Sequence, residues 1–261
     1  MGKITRALMK AAEERIEHME KAIQIKEYDQ FVARKMDNSL IDARIIAYFD
    51  PKSVISEQYK ILTTNLLSSN NNKPMKVILL TSSIHSEGKT ITSLNLAITM
   101  SRAVHKPKIL LIDADLRKGK MMRYLGIKQE KGLSEVLNGQ ASFKDVLFNL
   151  DIDHLTFMAP GAVPPNPAEL LASDAMKELL NEAKSMFDYV LIDAPPVIPV
   201  TDAVILGGMV DGSLMVVQAG RTQRGMVDRA AELLHQGHVK ILGHVLTGIE
   251  YFVPEYIYRY L

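Results

Sequence analysis

A run of three residues, Gly88-Lys89-Thr90, has the side chains and the spacing of a phosphate-binding loop. It follows the apolar run VILLTS (77–82) and opens a segment whose apolar residues recur at helical spacing. In loops of the form G-x-x-x-x-G-K-[ST], backbone N–H groups at a helix N-terminus point at phosphate oxygens, the lysine reaches the β and γ oxygens, and the hydroxyl ligates Mg²⁺. The sequence therefore indicates nucleotide phosphate binding, with Lys89 and Thr90 in the last two roles.

The loop departs from the consensus at two positions. Ser83 occupies the first glycine position, and Ser86 occupies another position where glycine is common. A lone Gly-Lys-Thr tripeptide is a weak signal, because it also occurs by chance at the start of a helix. Its place between a strand and a helix is what strengthens the interpretation.

Three carboxylates follow apolar strands further along the chain. Asp113 and Asp115 come directly after ILLI (109–112), and Asp193 comes directly after YVLI (189–192). Helix capping is an alternative role for Asp115, but two prolines soon after Asp193 make an immediate helix start there unfavourable. Carboxylates that converge on a phosphate loop can hold Mg²⁺ through water and can accept a proton. Together they favour nucleotide phosphate chemistry.

The elements that must position these residues follow an α/β pattern. Short apolar runs alternate with helical segments, which indicates a mostly parallel sheet covered by helices on both faces, with the ligand at the carboxyl ends of the strands. Residues 4–36 indicate one or two exposed helices, 37–52 a linker, 53–68 a helix and 69–74 a turn. The predicted strands are VILLTS (77–82), KILLIDAD (108–115), HLTFMAP (154–160), DYVLIDAPP (188–196), GSLMVVQAG (212–220) and KILGHVLTG (240–248).

Composition excludes several classes of protein. The 261 residues are 47% apolar and 23% charged, which is ordinary for a soluble globular protein, and the net charge of +1 argues against a protein that coats nucleic acid. The chain has no cysteine, which excludes disulfides and thiolate metal sites and favours a reducing cytoplasm. It has no apolar run of about 18 residues, and its N-terminus is amphipathic and charged. We expect a soluble protein that reaches a membrane only through a partner.

Four of the nine tyrosines lie in the last eleven residues: Tyr251, Tyr256, Tyr258 and Tyr260. One interpretation is an edge strand, because three of them alternate at the strand period and would share a face. The other is that their hydroxyls accept phosphate.

These features together resemble the bacterial tyrosine kinases that regulate polysaccharide export. The resemblance lies in the phosphate loop, the D-x-D-x-R run that ends at Arg117, the block PPNPAELLAS (164–173), the strand LIDAPP (191–196) and the tyrosine cluster. It covers about residues 50–261, and the first 50 residues resemble those of the exosortase-associated members. Such kinases share the deviant Walker fold of the partitioning and division-site ATPases. The implied organisation is an N-terminal helical segment and linker (1–50), a P-loop kinase domain (51–250) and a tyrosine-rich tail (251–261).

The resemblance implies a role for each site residue. Lys89 would contact the β- and γ-phosphates of ATP, while Thr90, Asp115 and Asp193 would hold Mg²⁺. Asp113 would accept the tyrosine proton, because a phenol with a pKa of about 10 is protonated at neutral pH. Arg117 would bind phosphate or a neighbouring subunit, or else pair with an acid. The nucleotide contacts would be Ser86, Glu87, Gly88, Lys89, Thr90, Ile91 and Arg117, and the acceptors Tyr251, Tyr256, Tyr258 and Tyr260, phosphorylated in trans.

The resemblance also implies partners. Members form homo-oligomeric rings through an E-x-x-R-x-x-R helix face, where this chain keeps Glu57 but has Lys60 and Thr63 in place of the arginines. Lysine does not reproduce a bidentate guanidinium pair and threonine has no charge, so we expect a smaller or weaker oligomer. Thr247 stands where relatives carry an asparagine near the adenine. The activating partner would be a separate transmembrane polysaccharide co-polymerase, which places the chain at the cytoplasmic face of the membrane.

Two other functions stay open on the sequence alone. A partitioning or division-site ATPase has the same fold, but it carries a signature lysine at the position of Ile84, and its membrane-binding kind ends in a basic amphipathic helix. This chain has neither feature. A nucleotide-binding scaffold without kinase turnover is the third possibility, given the altered loop and helix motifs.

Overall fold

The computed structural model describes residues 32–34, 40–68, 75–150, 152 and 154–249. Within these residues one sheet has eight strands in the order β1-β4-β5-β3-β6-β2-β7-β8. The strands are β1 (Val32–Arg34), β2 (Val77–Ser82), β3 (Ile109–Asp113), β4 (Leu147–Leu150), β5 (Leu155–Met158), β6 (Tyr189–Asp193), β7 (Gly212–Gln218) and β8 (Ile241–Thr247). The α-helices are α1 (Ile46–Phe49), α2 (Val54–Ser68), α3 (Lys89–Ser101), α4 (Met121–Tyr124), α5 (Leu133–Leu137), α6 (Pro167–Leu171), α7 (Asp174–Met186), α8 (Asp202–Gly207) and α9 (Arg224–Gln236), with a 3₁₀ turn at Lys144–Val146.

The sheet is covered on both faces. Side chains of successive strand residues point to opposite faces, and in β2 Val77 and Leu79 join one buried cluster while Ile78 and Leu80 join the other. Helices α7, α8 and α9 contribute to the first cluster, and α2 and α3 contribute to the second. Burial on both faces explains why the central strands have continuous apolar runs. The predicted fold class, α/β with a mostly parallel sheet, is confirmed.

The strand register brings the acidic strand ends together. Strand β6 lies between β3 and β2, and all three run parallel. Asp113 is the register partner of Asp193, which in turn pairs with Leu80 of β2. The loop that follows β2 therefore starts at the same sheet edge as both carboxylates.

Each of the six predicted strands is present, and the helix predicted at 53–68 is observed at Val54–Ser68. Two strands were not predicted. Val32–Arg34 lies in a stretch predicted to be helical, and that prediction was wrong for these residues, which pair in parallel with β4. Strand β4 pairs antiparallel with β5, the one antiparallel pair among the described strands. Such short strands are specified by long-range hydrogen bonds, which local periodicity does not reveal.

The predicted linker at 37–52 contains helix α1, which is tied to the domain. The Ala47 N–H donates to Asn95 Oδ1 at 2.8 Å, and Asn95 Nδ2 donates to the carbonyl of Arg44 at 3.0 Å. The helices predicted within 4–31, the turn at 69–74 and the tail at 251–261 lie outside the described residues. Of the helices described, none has the length and apolar character needed to cross a bilayer.

Candidate phosphate-binding site

The loop between β2 and α3 contains two residues with a left-handed backbone. Gly88, directly before α3, has φ 88°, and a Cβ there would lie 3.4 Å from the Thr247 side chain. Ser86 has φ 66°, a conformation that glycine adopts without strain and that costs other residues about 1 kcal/mol. Its carbonyl accepts a hydrogen bond from Arg221 Nη1 at 2.9 Å. Contacts from distant elements thus hold the loop in shape despite the missing glycine.

The buried side chain of Glu87 stabilises the loop through hydrogen bonds. Its side chain is buried, Oε2 accepts the Ile84 N–H at 2.7 Å, and Oε1 accepts the Thr222 hydroxyl at 2.5 Å. The Thr247 hydroxyl donates to the Glu87 carbonyl at 2.7 Å. Since the carboxylate is occupied by the protein, any contact of Glu87 with a nucleotide falls to its backbone.

Asp193 collects three donors from the first turn and a half of α3. Lys89 Nζ lies 2.9 Å from Asp193 Oδ2, and the Thr90 hydroxyl donates to the same oxygen at 2.8 Å. The Ser93 hydroxyl donates to Oδ1 at 2.8 Å. Asp193 is 1% exposed, so the ion pair is shielded from water. Ser93 was not predicted, although its place one helical turn after Lys89 could have suggested it.

Asp113 is fully buried beside this cluster. Its Oδ2 accepts the Met121 N–H at 3.1 Å and its Oδ1 accepts the Asp115 N–H at 3.2 Å. Burial raises the pKa of Asp113 to about 7; the nearby Asp193 charge adds to the rise and Lys89 opposes it. A carboxyl group with this pKa can take up a proton near neutral pH.

The raised pKa of Asp113 predicts how stability depends on pH. An unfolded aspartate titrates near about 3.9, so between about pH 4 and 7 the folded chain keeps a proton that the unfolded chain has lost. Each rise in pH across this window should therefore lower the free energy of unfolding, by at most about 1.4 kcal/mol per pH unit, until the folded chain also loses the proton near pH 7. Urea unfolding from pH 5 to 8 with a chelator present should show a shallower decline for Asp113→Asn. Parallel curves for the two proteins would contradict the assignment.

Asp115 and Arg117 take part in local and long-range contacts. Asp115 Oδ1 accepts the N–H groups of Arg117 at 3.3 Å and Lys118 at 3.0 Å, so it caps the turn that follows β3. The guanidinium of Arg117 pairs with the buried Asp202, Nε to Oδ2 at 2.8 Å and Nη2 to Oδ1 at 2.9 Å. Of the three predicted roles for Arg117 (binding phosphate, contacting a neighbouring subunit or pairing with an acid), pairing with an acid is the one seen.

A cavity of about 570 Å³ opens above the loop, within the range of ligand-binding clefts. Of the predicted site residues, those that line it are Ser86, Glu87, Gly88, Lys89, Thr90, Ile91 and Asp115. Asp193 lies beneath it, in contact with Lys89 and Thr90. Residues not predicted also line it, among them Arg44, Lys118, Lys120, Tyr124 and Gln218. The lysines follow the D-x-D-x-R run and could have been found, whereas nothing in the sequence around Arg44 signalled a site. The four predicted acceptor tyrosines are outside the described residues.

The oxygen atoms of side chains around the loop suit magnesium as ligands. The Thr90 hydroxyl and the Asp193 carboxylate are in contact, and the Asp115 carboxylate belongs to a residue that lines the same cavity. Mg²⁺ prefers oxygen ligands and is held by one or two carboxylates plus phosphates and water. The described part of the chain has no group of three His, Cys, Asp or Glu side chains that could bind a metal by themselves. A metal here would depend on phosphate oxygens to complete its ligands.

On the face of α2 that was expected to join subunits, two charged residues pair with each other within one chain. Lys60 Nζ lies 2.6 Å from Glu57 Oε1, and both side chains are about half exposed. Thr63 is buried against the cavity between α2 and α3. The weaker oligomer stays a prediction.

Comparison with known proteins identifies relatives of this chain. A family model described as an AAA domain matches residues 75–226. The tyrosine-protein kinase YwqD of Bacillus subtilis is 38% identical over 215 residues, which are 82% of this chain and 90% of that protein. The kinase domain of the Escherichia coli tyrosine kinase ETK superposes with a TM-score of 0.77 at 31% identity, covering 80% of this chain and 82% of that one.

A division-site ATPase is less similar. The structure of the Pyrococcus furiosus cell division ATPase MinD gives a TM-score of 0.55 at 26% identity and covers 66% of this chain and 71% of that one. These likenesses confirm the α/β P-loop NTPase fold. Because the chain is 38% identical to YwqD over 90% of that protein, it belongs to the family of bacterial tyrosine-protein kinases.

Proposed function

We propose that this protein transfers the γ-phosphate of ATP to tyrosines of its own C-terminal tail, in trans between subunits. The observation that carries the proposal is the cluster of Lys89, Thr90 and Asp193 under a cavity of nucleotide size, with Asp113 on the adjacent strand. Tyrosine-protein kinases among the relatives support the choice of acceptor.

Lys89 is the central phosphate ligand in this proposal. In the structure its ammonium group is paired with Asp193, and nucleotide binding moves it onto the β- and γ-phosphate oxygens. Thr90, Asp115 and Asp193 would hold Mg²⁺, which when bound neutralises phosphate charge and orients the transferred group. Positioning and charge neutralisation account for most of the catalysis of phosphoryl transfer.

Asp113 is the proton acceptor. The phenolic oxygen forms a bond to the γ-phosphorus while the bond from that phosphorus to the β–γ bridging oxygen breaks, and ADP leaves. The phenol proton passes to Asp113. A phenol has a pKa of about 10 and Asp113 a pKa of about 7, so the transfer becomes favourable only as the new bond withdraws electrons from the oxygen.

The acceptors are Tyr251, Tyr256, Tyr258 and Tyr260. The tail follows β8, and Gly248 directly after that strand lines the nucleotide cavity. Eleven residues span at most about 36 Å, enough to reach the site of an adjacent subunit.

Transfer in trans predicts where label appears in a mixture. A catalyst with its four tail tyrosines changed to phenylalanine should label a Lys89→Met/Asp193→Asn copy of the chain when Mg-ATP is present. The label should map to the tail of the inactive copy. No label should appear when the inactive copy is incubated with Mg-ATP in the absence of the catalyst. Phosphate release without label on the protein would point instead to an ATPase. Nucleotide binding with neither label nor phosphate release would point to a scaffold.

The wider role follows from the resemblance. We propose that the kinase regulates exopolysaccharide or capsule synthesis and export and is held at the inner face of the membrane by a separate transmembrane co-polymerase. The kinase should then sediment with membranes only from cells that contain this partner. Sedimentation in its absence would contradict the proposal.

A further inference from the structure

A second cavity adjoins the nucleotide cavity. This side pocket has a volume of about 300 Å³ and is lined by Leu40, Asp42, Arg44, Lys120, Arg123 and Tyr124. Three of these residues, Arg44, Lys120 and Tyr124, also line the nucleotide cavity. Because these three residues face both cavities, the two lie side by side.

The side pocket has an excess of positive charge. Its one carboxylate, Asp42, is bound by Arg44, with Nη2 to Oδ2 at 2.8 Å and Nε to Oδ1 at 2.9 Å. The Arg44 guanidinium also lies 5.2 Å from the centre of the Tyr124 ring, which fixes it in place. Within the part of the chain that the structure describes, Lys120 and Arg123 form no ion pair, although the charge of Arg123 adds to the Arg44 hydrogen bonds in lowering the pKa of Asp42. Because one carboxylate faces three cations, the side pocket keeps a net positive charge that attracts an anion.

The side pocket lies next to the proposed proton acceptor. Lys120 and Arg123 belong to the segment whose Met121 N–H donates to Asp113 Oδ2 at 3.1 Å. In the same segment, a Cβ on Gly119 would lie 3.0 Å from that oxygen. Asp113 is covered by residues 119–121, so an approaching tyrosine would have to contact this segment. The residue before that tyrosine, about 3.5 Å along the chain, would then lie within reach of Lys120 and Arg123.

The tail offers anions at matching positions. Glu250 directly precedes Tyr251 and Glu255 directly precedes Tyr256, whereas Ile257 and Arg259 precede the other two tyrosines. Building on the proposed function, we propose that the side pocket binds the carboxylate that precedes an acceptor tyrosine. The kinase then prefers Tyr251 and Tyr256 to Tyr258 and Tyr260.

Site-resolved phosphorylation rates test this preference. The acceptor is the full chain with Lys89→Met/Asp193→Asn, with or without the isosteric change Glu255→Gln, and the catalyst carries phenylalanine at its four tail tyrosines. Mass spectrometry of early time points should show the rate at Tyr256 fall with Glu255→Gln by up to about fivefold, the upper end of the range for one exposed ion pair. The rates at Tyr258 and Tyr260 in the same sample report any general loss of activity.

Substitutions of Arg123 in the catalyst, combined with those of Glu255 in the acceptor, form a double-mutant cycle. Arg123→Gln in the catalyst should remove the preference for Tyr256, after which Glu255→Gln should have no further effect. Arg123→Glu in the catalyst should lower the ratio of the phosphorylation rate at Tyr256 to that at Tyr258. Glu255→Lys in the acceptor should restore this ratio, because the charges of the pair are exchanged. A synthetic peptide of residues 248–261 replaces the acceptor if the double variant does not fold. Label at all four tyrosines with a ratio unchanged by Glu255→Gln would overturn the inference, whereas no tail label from the unmodified enzyme would overturn the proposed function.

Discussion

Replacing Lys89 with methionine is expected to lower the rate of tail phosphorylation by on the order of 10³-fold. Methionine has a similar length but no charge, so the β- and γ-phosphates lose the cation that lies at the start of α3 in the structure. Quenched-flow measurement of phosphotyrosine checks the rate. A variant that kept more than about a tenth of the normal rate would show that another group stabilises the transferred phosphate.

The same change should also destabilise the chain, because Asp193 would be left buried with only two hydroxyl partners, Thr90 and Ser93. Breaking a buried ion pair costs about 3 kcal/mol. The matched control is Lys89→Met/Asp193→Asn, which removes both charges. It should recover most of the free energy of unfolding in urea without recovering activity, which separates a catalytic loss from a folding loss.

Replacing Asp113 with asparagine is expected to slow phosphorylation by about 10² to 10⁴-fold, the usual contribution of a general base. Asparagine has the same shape but accepts no proton from the phenol. The change should leave the affinity for ADP within a few-fold, because Asp113 does not line the nucleotide cavity. Single-turnover kinetics and ADP titration measure the two effects separately.

A matched control for Asp113 is Ser93→Ala, which removes a buried hydroxyl of α3 that donates to Asp193 and has no proposed role in proton transfer. It should affect the rate far less than Asp113→Asn. If Asp113→Asn kept nearly the full rate, the phenol proton would have to go to another acceptor, and Asp193 on the adjacent strand would be the next candidate.

The central part of the fold could be predicted from the sequence, because strands buried on both faces of a sheet have continuous apolar runs that are visible locally. Four apolar residues followed by an aspartate mark the ends of β3 and β6, and both aspartates lie at the expected sheet edge. That Asp113 and Asp193 are register partners did not follow from the sequence, since it depends on β6 inserting between β3 and β2.

Contacts between distant residues account for what was missed. Glu87 looked like a nucleotide ligand, but its carboxylate binds Thr222 from the segment before α9. Arg117 pairs with Asp202, 85 residues away. Arg44 lies in a stretch that resembled a linker and yet lines both cavities. Periodicity reports which face of an element is buried, not which element lies against it.

The width of the sheet separates two attachment points. Strands β1 and β8 form its opposite edges, and the seven spacings between eight strands amount to about 34 Å. From Ile249 to Tyr256 the chain spans at most about 25 Å when fully extended. Even fully extended, this stretch is shorter than the sheet is wide. A partner bound at strand β1 itself would therefore leave the β8 edge, from which the chain continues into the tail, free for contacts with another subunit.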